Sequence, residues 1–127
     1  MTTTVAMDTS ALMMPVEVGV RPFEELERVV GDFEAVVPEA VRAELEKLAA
    51  GSGEEATAAS VGRDLASRGA TVETTESYAD DALVELAREG RVDAVVTNDR
   101  PLKERVLDVG VPVIHLRGRN QLTRTQP

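Results

Sequence analysis

The chain has no cysteine, which removes disulfides, zinc fingers and thiol catalysis together and fits a reducing cytosol without requiring one. Its single histidine, His115, lies in no Ser-His-Asp arrangement and reads as a structural residue. A glycine-rich phosphate loop is also missing: Gly62, Gly69 and Gly90 stand alone, inside helical patterns or at their ends. No apolar run approaches the ~18 residues of a membrane span, and no basic-then-apolar leader opens the chain, so the expectation is a soluble cytoplasmic protein without a membrane partner. Lysine is nearly absent, with Lys47 and Lys103 the only two among 14 basic residues.

Acidic residues are abundant, 23 of them for a net charge of −9. Many acids with almost no lysine is the surface of a salt-adapted organism, such as a halophilic archaeon, in which strong salt screens self-repulsion. The alternative is an ordinary acidic domain. The charge is uneven: from Arg100 onward six basic residues face two acids, a net of +4, while residues 1–99 carry −13. Arg100 and Lys103 head this basic end and are the candidates for holding a polyanion such as RNA, the plainer reading being a solvated face.

The 127 residues make one domain by length, able to bury roughly two thirds of the surface of the unfolded chain. Residues 1–117 carry the periodic segments, and 118–127 read as a short, basic, loosely ordered tail. Apolar runs predict strands at 4–7, 33–37, 71–74, the stretch from Val92 to Thr97, and 111–115, where Pro112 suits an edge. Helical patterns alternate with them. A brief one starts at Thr9, with Thr9 or Ser10 able to cap it or orient Asp8. Others run over 22–30, 39–50, 54–68, 76–87 and 101–109, punctuated by Pro22, Gly31, Pro38, Gly51, Gly69 and Gly110. Strand and helix alternating throughout predict an α/β fold with a central parallel sheet of about five strands and helices on both faces.

Acids recur at strand ends and beside apolar helix faces. Asp8 follows the first apolar run and Asp99 the fourth, where ligands bind in open α/β sheets. Glu44 borders the Val41, Leu45, Leu48 stripe; Asp80 lies next to Leu83 and Ala87, with Asp81 and Glu85 on the far side. A rim glutamate reaching solvent and acids favouring a helix N-terminus are the plainer readings of these three. Two like charges about 4 Å apart repel by roughly 4 kcal/mol at an effective dielectric near 20. Three or four together rival a domain stability of roughly 5–15 kcal/mol. If the acids converge, a divalent cation or shared protons must relieve them, and carboxylates without soft ligands suit Mg²⁺ or Mn²⁺.

The segments Met7-Asp8-Thr9-Ser10, Val41 to Leu48, Tyr78-Ala79-Asp80-Asp81-Ala82-Leu83 and Val96-Thr97-Asn98-Asp99-Arg100-Pro101-Leu102-Lys103 together resemble the PIN-domain family over nearly the whole chain. The likeness is strongest to small archaeal stand-alone members and to the branch that processes ribosomal RNA. It implies a three-layer α/β/α fold in which the first and fourth strands are neighbours, about 4.8 Å apart. It further implies Asp8, Glu44, Asp80 and Asp99 as catalytic acids, with Asp8, Asp80, Asp81 and Asp99 as candidate metal ligands. Thr9, Ser10, Thr97 and Asn98 would surround those ligands. The implied activity is Mg²⁺- or Mn²⁺-dependent endonuclease cleavage of single-stranded RNA by water, in RNA processing or as the toxin of a toxin–antitoxin pair. The implied partners are RNA, an antitoxin or ribosome-assembly factor, and a second copy, for which Leu12-Met13-Met14 is either a contact or core. A non-catalytic RNA-binding module remains the alternative from another class. A phosphoacceptor receiver lacks support, because Thr9-Ser10 follows Asp8 where an acid pair is needed and no lysine follows the last strand.

Overall fold

In the computed structural model, which describes residues 2–127, Val5, Ala6 and Met7 expose no surface. A strand buried on both faces needs layers above and below and a neighbour on each edge. β1 (Thr3–Met7) has them: it pairs in parallel with β2 (Phe33–Pro38) on one side and β4 (Ala94–Val96) on the other. β3 (Ala70–Val72) adds beyond β2, and β5 (Val113–Arg117) and β6 (Gln121–Thr125) beyond β4, giving the order β3-β2-β1-β4-β5-β6. The helices between them are α1 (Thr9–Leu12), α2 (Met14–Glu17), α3 (Pro22–Val30), α4 (Glu39–Ala49), α5 (Gly53–Ala66), α6 (Ala79–Arg88) and α7 (Arg100–Asp108). The result is a three-layer α/β arrangement around a mostly parallel sheet. Its core includes Leu12, Leu26, Leu45, Leu83, Leu86, Leu102 and Ile114, none with exposed surface.

The chain leaves β1 toward β2 and β3, then crosses back to place β4 on β1's other side. That reversal makes the carboxyl ends of β1 and β4 the switch point of the sheet, where the loops part and a crevice opens. Asp8 follows β1 directly and Asp99 lies three residues after β4. Close packing beneath the crevice fixes it. A Cβ added to Gly62 would lie 2.9 Å from the Leu12 carbonyl oxygen and 3.2 Å from Leu45 Cδ2, so only glycine lets α5 press against α1.

Two expectations from the sequence are corrected here, and two open alternatives are resolved. The sheet has six strands rather than about five, because part of the 118–127 tail forms β6, antiparallel to β5, with Leu122 buried. β5 is therefore internal, and Pro112 precedes it, its carbonyl accepting a 3.1 Å bond from Val95 N–H. Leu12, Met13 and Met14 are buried within the single chain and belong to its core. The cap of α1 is Asp8 itself, accepting from Thr9 N–H, and Ser10 takes the other role, orienting Asp8.

Candidate active site

Asp8 is buried, with 4 % of its surface exposed, and all its partners donate. Oδ1 accepts from Thr9 N–H at 2.8 Å; Oδ2 accepts from the Thr97 hydroxyl at 2.6 Å and the Ser10 hydroxyl at 2.9 Å. Each hydroxyl is aimed by a main-chain amide on its other side: Asp99 N–H donates to Thr97 Oγ1 and Asn98 N–H to Ser10 Oγ, both at 3.0 Å. Asn98 Oδ1 in turn accepts from Leu116 N–H at 3.0 Å, tying the end of β4 to β5. The Thr97-Asn98-Asp99 turn thus orients Asp8 through two hydroxyls that also lie 3.3 Å from each other. Burial nevertheless raises the Asp8 carboxyl above its ordinary range, against the opposing pull of the Thr97, Ser10 and Thr9 bonds.

Asp99 caps α7, its Oδ1 accepting from Leu102 N–H at 3.0 Å. Asp80 and Asp81 open α6. Asp81 is ion-paired with Arg105 on α7 at 2.9 Å, whereas Asp80 has no salt bridge or hydrogen-bonding side chain among the described residues. Asp80 is pushed upward first by partial burial, then by the charges of Asp99 and Glu44, with Asp81 adding and Arg105 opposing. Its charge also raises Asp8. Glu44 is exposed on α4 and shares a cleft of about 320 Å³ with Tyr78, Asp80, Asp81 and Arg105. The acids singled out from the sequence are therefore electrostatic neighbours at one edge of the sheet. As the side chains stand, no three of them are close enough to hold one ion among the described residues.

Residues 5–119 match the family described as the PIN-like domain. The chain belongs to the PIN-like family. Over 97 residues it is 32 % identical to a protein of Methanocaldococcus jannaschii named Ribonuclease VapC4, spanning 73 % of this chain and 74 % of that protein. Its fold is similar to that of the PIN-domain endonuclease Utp24, with TM-score 0.79 and 23 % identity over 98 % of this chain and 92 % of the other. A domain of a functionally unknown Methanocaldococcus jannaschii protein has TM-score 0.65 at 18 % identity, over 91 % of this chain and 92 % of its own.

The donor set of this PIN-like chain fits a hard divalent cation. It offers carboxylates and hydroxyls, no thiol, and a histidine engaged elsewhere: His115 bridges β5 and β6 through Thr125 Oγ1 at 2.7 Å. Thr9 Oγ1, next to Asp8, is buried with no partner among the described residues, leaving an unused oxygen in the same place. On the β5 side of Asp99 a second cleft, of about 360 Å³, is lined by Asn98, Arg100, Lys103 and His115. A roomier cleft of about 410 Å³ elsewhere holds Arg68 over the Phe23 ring and no converging acids, so it lacks the groups for this chemistry.

The reading of the sequence missed two residues. Glu85, expected on the far side with Asp81, is only 8 % exposed and accepts from Thr75 N–H, the Thr75 hydroxyl at 2.6 Å and Glu76 N–H. Those bonds, the Thr75 hydroxyl first, hold its carboxyl below the ordinary range. The second is Arg105, in the second turn of α7, whose cation pairs with Asp81 of α6; its only signal in the sequence was its place in the basic end.

Proposed function

We propose that this chain is a Mg²⁺- or Mn²⁺-dependent endoribonuclease that cuts single-stranded RNA and acts in RNA processing. The observation that supports it most is that Asp80 is raised by partial burial and then by the charges of Asp99 and Glu44, and itself raises Asp8, so that four acids are electrostatic neighbours at one edge of the sheet in a PIN-like chain. Family membership and the likeness to a ribonuclease and an endonuclease support the same reading. Asp8, Asp80 and Asp99 would hold the ion, with Asp81 the alternative to Asp80; the Arg105 pair favours Asp80. When bound, such an ion supplies an acidified water and neutralises charge building on the phosphoryl oxygens.

The chain's own residues do the rest. Thr97 and Ser10 hold Asp8 Oδ2 and the Thr9 amide holds Oδ1, and Asp99 is fixed by its cap on α7. Glu44, exposed and within electrostatic reach of Asp80, is the carboxylate left to accept a proton from the attacking water. Arg100 and Lys103 hold flanking phosphates in the cleft beyond Asn98.

Asp99→Asn is the sharpest test, because asparagine caps a helix as well as aspartate and removes only the charge. The purified protein with Mn²⁺ should cleave an unstructured RNA and lose that activity with chelator or with Asp99→Asn. Saturating Mn²⁺ should also stabilise the parent, by about 2.7 kcal/mol at roughly a hundred times its dissociation constant, and not the variant. Cleavage unchanged in Asp99→Asn would overturn the assignment. A role as toxin shares the chemistry and differs in outcome: expression then arrests growth, and Asp99→Asn abolishes the arrest.

A further inference from the structure

The chain has three aromatic residues, one tyrosine and two phenylalanines, and no tryptophan. Phe23 and Phe33 stack on each other with ring centroids 5.9 Å apart, and Arg68 covers Phe23. Tyr78 alone is left in solvent, 75 % exposed. Single exposed apolar residues are ordinary on protein surfaces, so exposure by itself decides nothing. What distinguishes Tyr78 is its mounting and its address.

The main chain beneath Tyr78 is held firmly. Tyr78 is the N-cap residue of α6, its carbonyl accepting from Ala82 N–H at 2.9 Å. The loop before it is pinned by Glu85 through Thr75 and Glu76, and by the Thr74 hydroxyl donating to the Glu76 carbonyl at 3.0 Å. A ring on a fixed backbone has two side-chain torsions to lose on binding, which makes it an inexpensive platform. It stands two residues before Asp80 and lines the same cleft as Glu44, Asp80 and Arg105. Arg105 spends one nitrogen on Asp81 and has further N–H groups for a phosphate. The cleft lined by Arg100 and Lys103 lies on the β5 side of Asp99.

We propose that Tyr78 is a substrate-positioning residue that stacks one nucleobase of single-stranded RNA beside the acid site, with Arg105 holding the adjoining phosphate. This rests on the ribonuclease reading and adds to it the origin of strand selectivity. Every base has a π-face, so the platform accepts any sequence, but bases stacked inside a duplex cannot be laid on it. The strand then runs from Tyr78, past the acids, to Arg100 and Lys103.

Binding of a uridine oligonucleotide, measured in the Asp99→Asn protein so that the RNA survives, tests this apart from cleavage. Tyr78→Ala should weaken binding by about 10-fold, the scale of one base–aromatic stack. Tyr78→Phe and Tyr78→Trp should restore it, as a merely structural position would not require. Tyr78→Trp also creates the chain's sole tryptophan, whose emission the single strand should quench and a duplex of equal length should not. Unchanged affinity in Tyr78→Ala, or tryptophan emission indifferent to saturating oligonucleotide, overturns the proposal. The two readings fail separately. Wild-type cleavage with unaffected Tyr78→Ala binding removes the platform and keeps the nuclease, whereas quenching and Tyr78-dependent binding without cleavage by the wild type keep the platform and remove the nuclease.

Discussion

Four carboxylates of this chain are held in two opposite ways. Glu25 and Glu85 are surrounded by donors. Arg28 bonds Glu25 at 2.8 Å while Leu122 N–H donates to it at 2.9 Å, and Glu85 takes the Thr75 and Glu76 amides with Arg91 4.0 Å away. Both are held below the ordinary range. Asp8 and Asp80 are held above it, by burial first and then by other acids. Where a carboxylate ties the scaffold together, the chain supplies cations and amides enough to favour its charge. At the carboxyl edge of the sheet, burial and neighbouring acids outweigh the donors to Asp8 and the Arg105 charge near Asp80, giving up stability at the place where function needs those acids.

Asp80→Asn breaks the comparison most directly. As a ligand it should cost more cleavage than the roughly 10–100-fold that losing a mere partner of a ligand costs. Because its side chain makes no hydrogen bond or salt bridge among the described residues, neutralising it should raise the metal-free melting temperature by a few degrees. Cleavage by timed gel assay and melting by circular dichroism check both halves. A variant that loses activity and melts lower would place Asp80 with the scaffold group.

Thr97→Val should come next, with a roughly 10–100-fold loss of activity or Mn²⁺ affinity. Valine keeps the shape but removes the donor to Asp8 and the acceptor of Asp99 N–H in one step. Leaving that amide unmatched costs about 1–3 kcal/mol, so stability should fall here, unlike in Asp80→Asn. Metal titration followed by melting temperature separates the two effects.

Glu85→Ala should do the reverse of Asp80→Asn. It strands the Thr75 and Glu76 amides and frees the loop beneath Tyr78, lowering the melting temperature by several degrees. RNA affinity should fall with it, while turnover at saturating RNA changes little. Reduced turnover with intact stability would show that Glu85 serves the chemistry rather than the loop.

The division between the groups also marks what the sequence makes legible. Strand-end acids are visible because a short apolar run ending in Thr97-Asn98-Asp99 states both the strand and the position of its carboxylate. Alternation of strands and helices gave the layers, and the four acidic motifs in order gave the family. What stayed hidden depends on contacts distant in sequence. Glu85 reads as a solvent-facing helix residue until the β3–α6 loop folds back on it. β6 has one buried apolar residue, Leu122, too little periodicity to announce a strand, and its main chain is held by Glu25 and Arg28, 97 and 94 residues away. Helical spacing puts Asp80 beside the apolar face and Asp81 away from it, but the ion pair that engages Asp81 depends on Arg105 on another helix.

That clamp on β6 supplies the smallest and most specific contrast. Arg28 donates to the Leu122 carbonyl at 2.7 Å and Glu25 accepts from Leu122 N–H, so one ion pair occupies both polar groups of a residue on the last strand of the sheet. A carboxylate with a folded pKa below its unfolded one contributes stability that is fully present above the unfolded pKa and lost as pH falls through the folded one. Glu25 and Glu85 therefore favour folding at neutral pH, and acidification below the ordinary carboxylate range removes both contributions. Asp8 and Asp80, raised instead, carry the opposite sign: their penalty is present at neutral pH and disappears as they take up protons. Glu25→Gln should flatten only the acid-side decline of melting temperature, by a degree or two, since an exposed pair is largely screened. Glu25→Ala should show more self-association by light scattering, because Leu122 N–H then loses its partner on an outer strand. A melting profile unchanged at every pH would mean that β6 is held by Leu122 packing alone, and the scaffold group would shrink to Glu85.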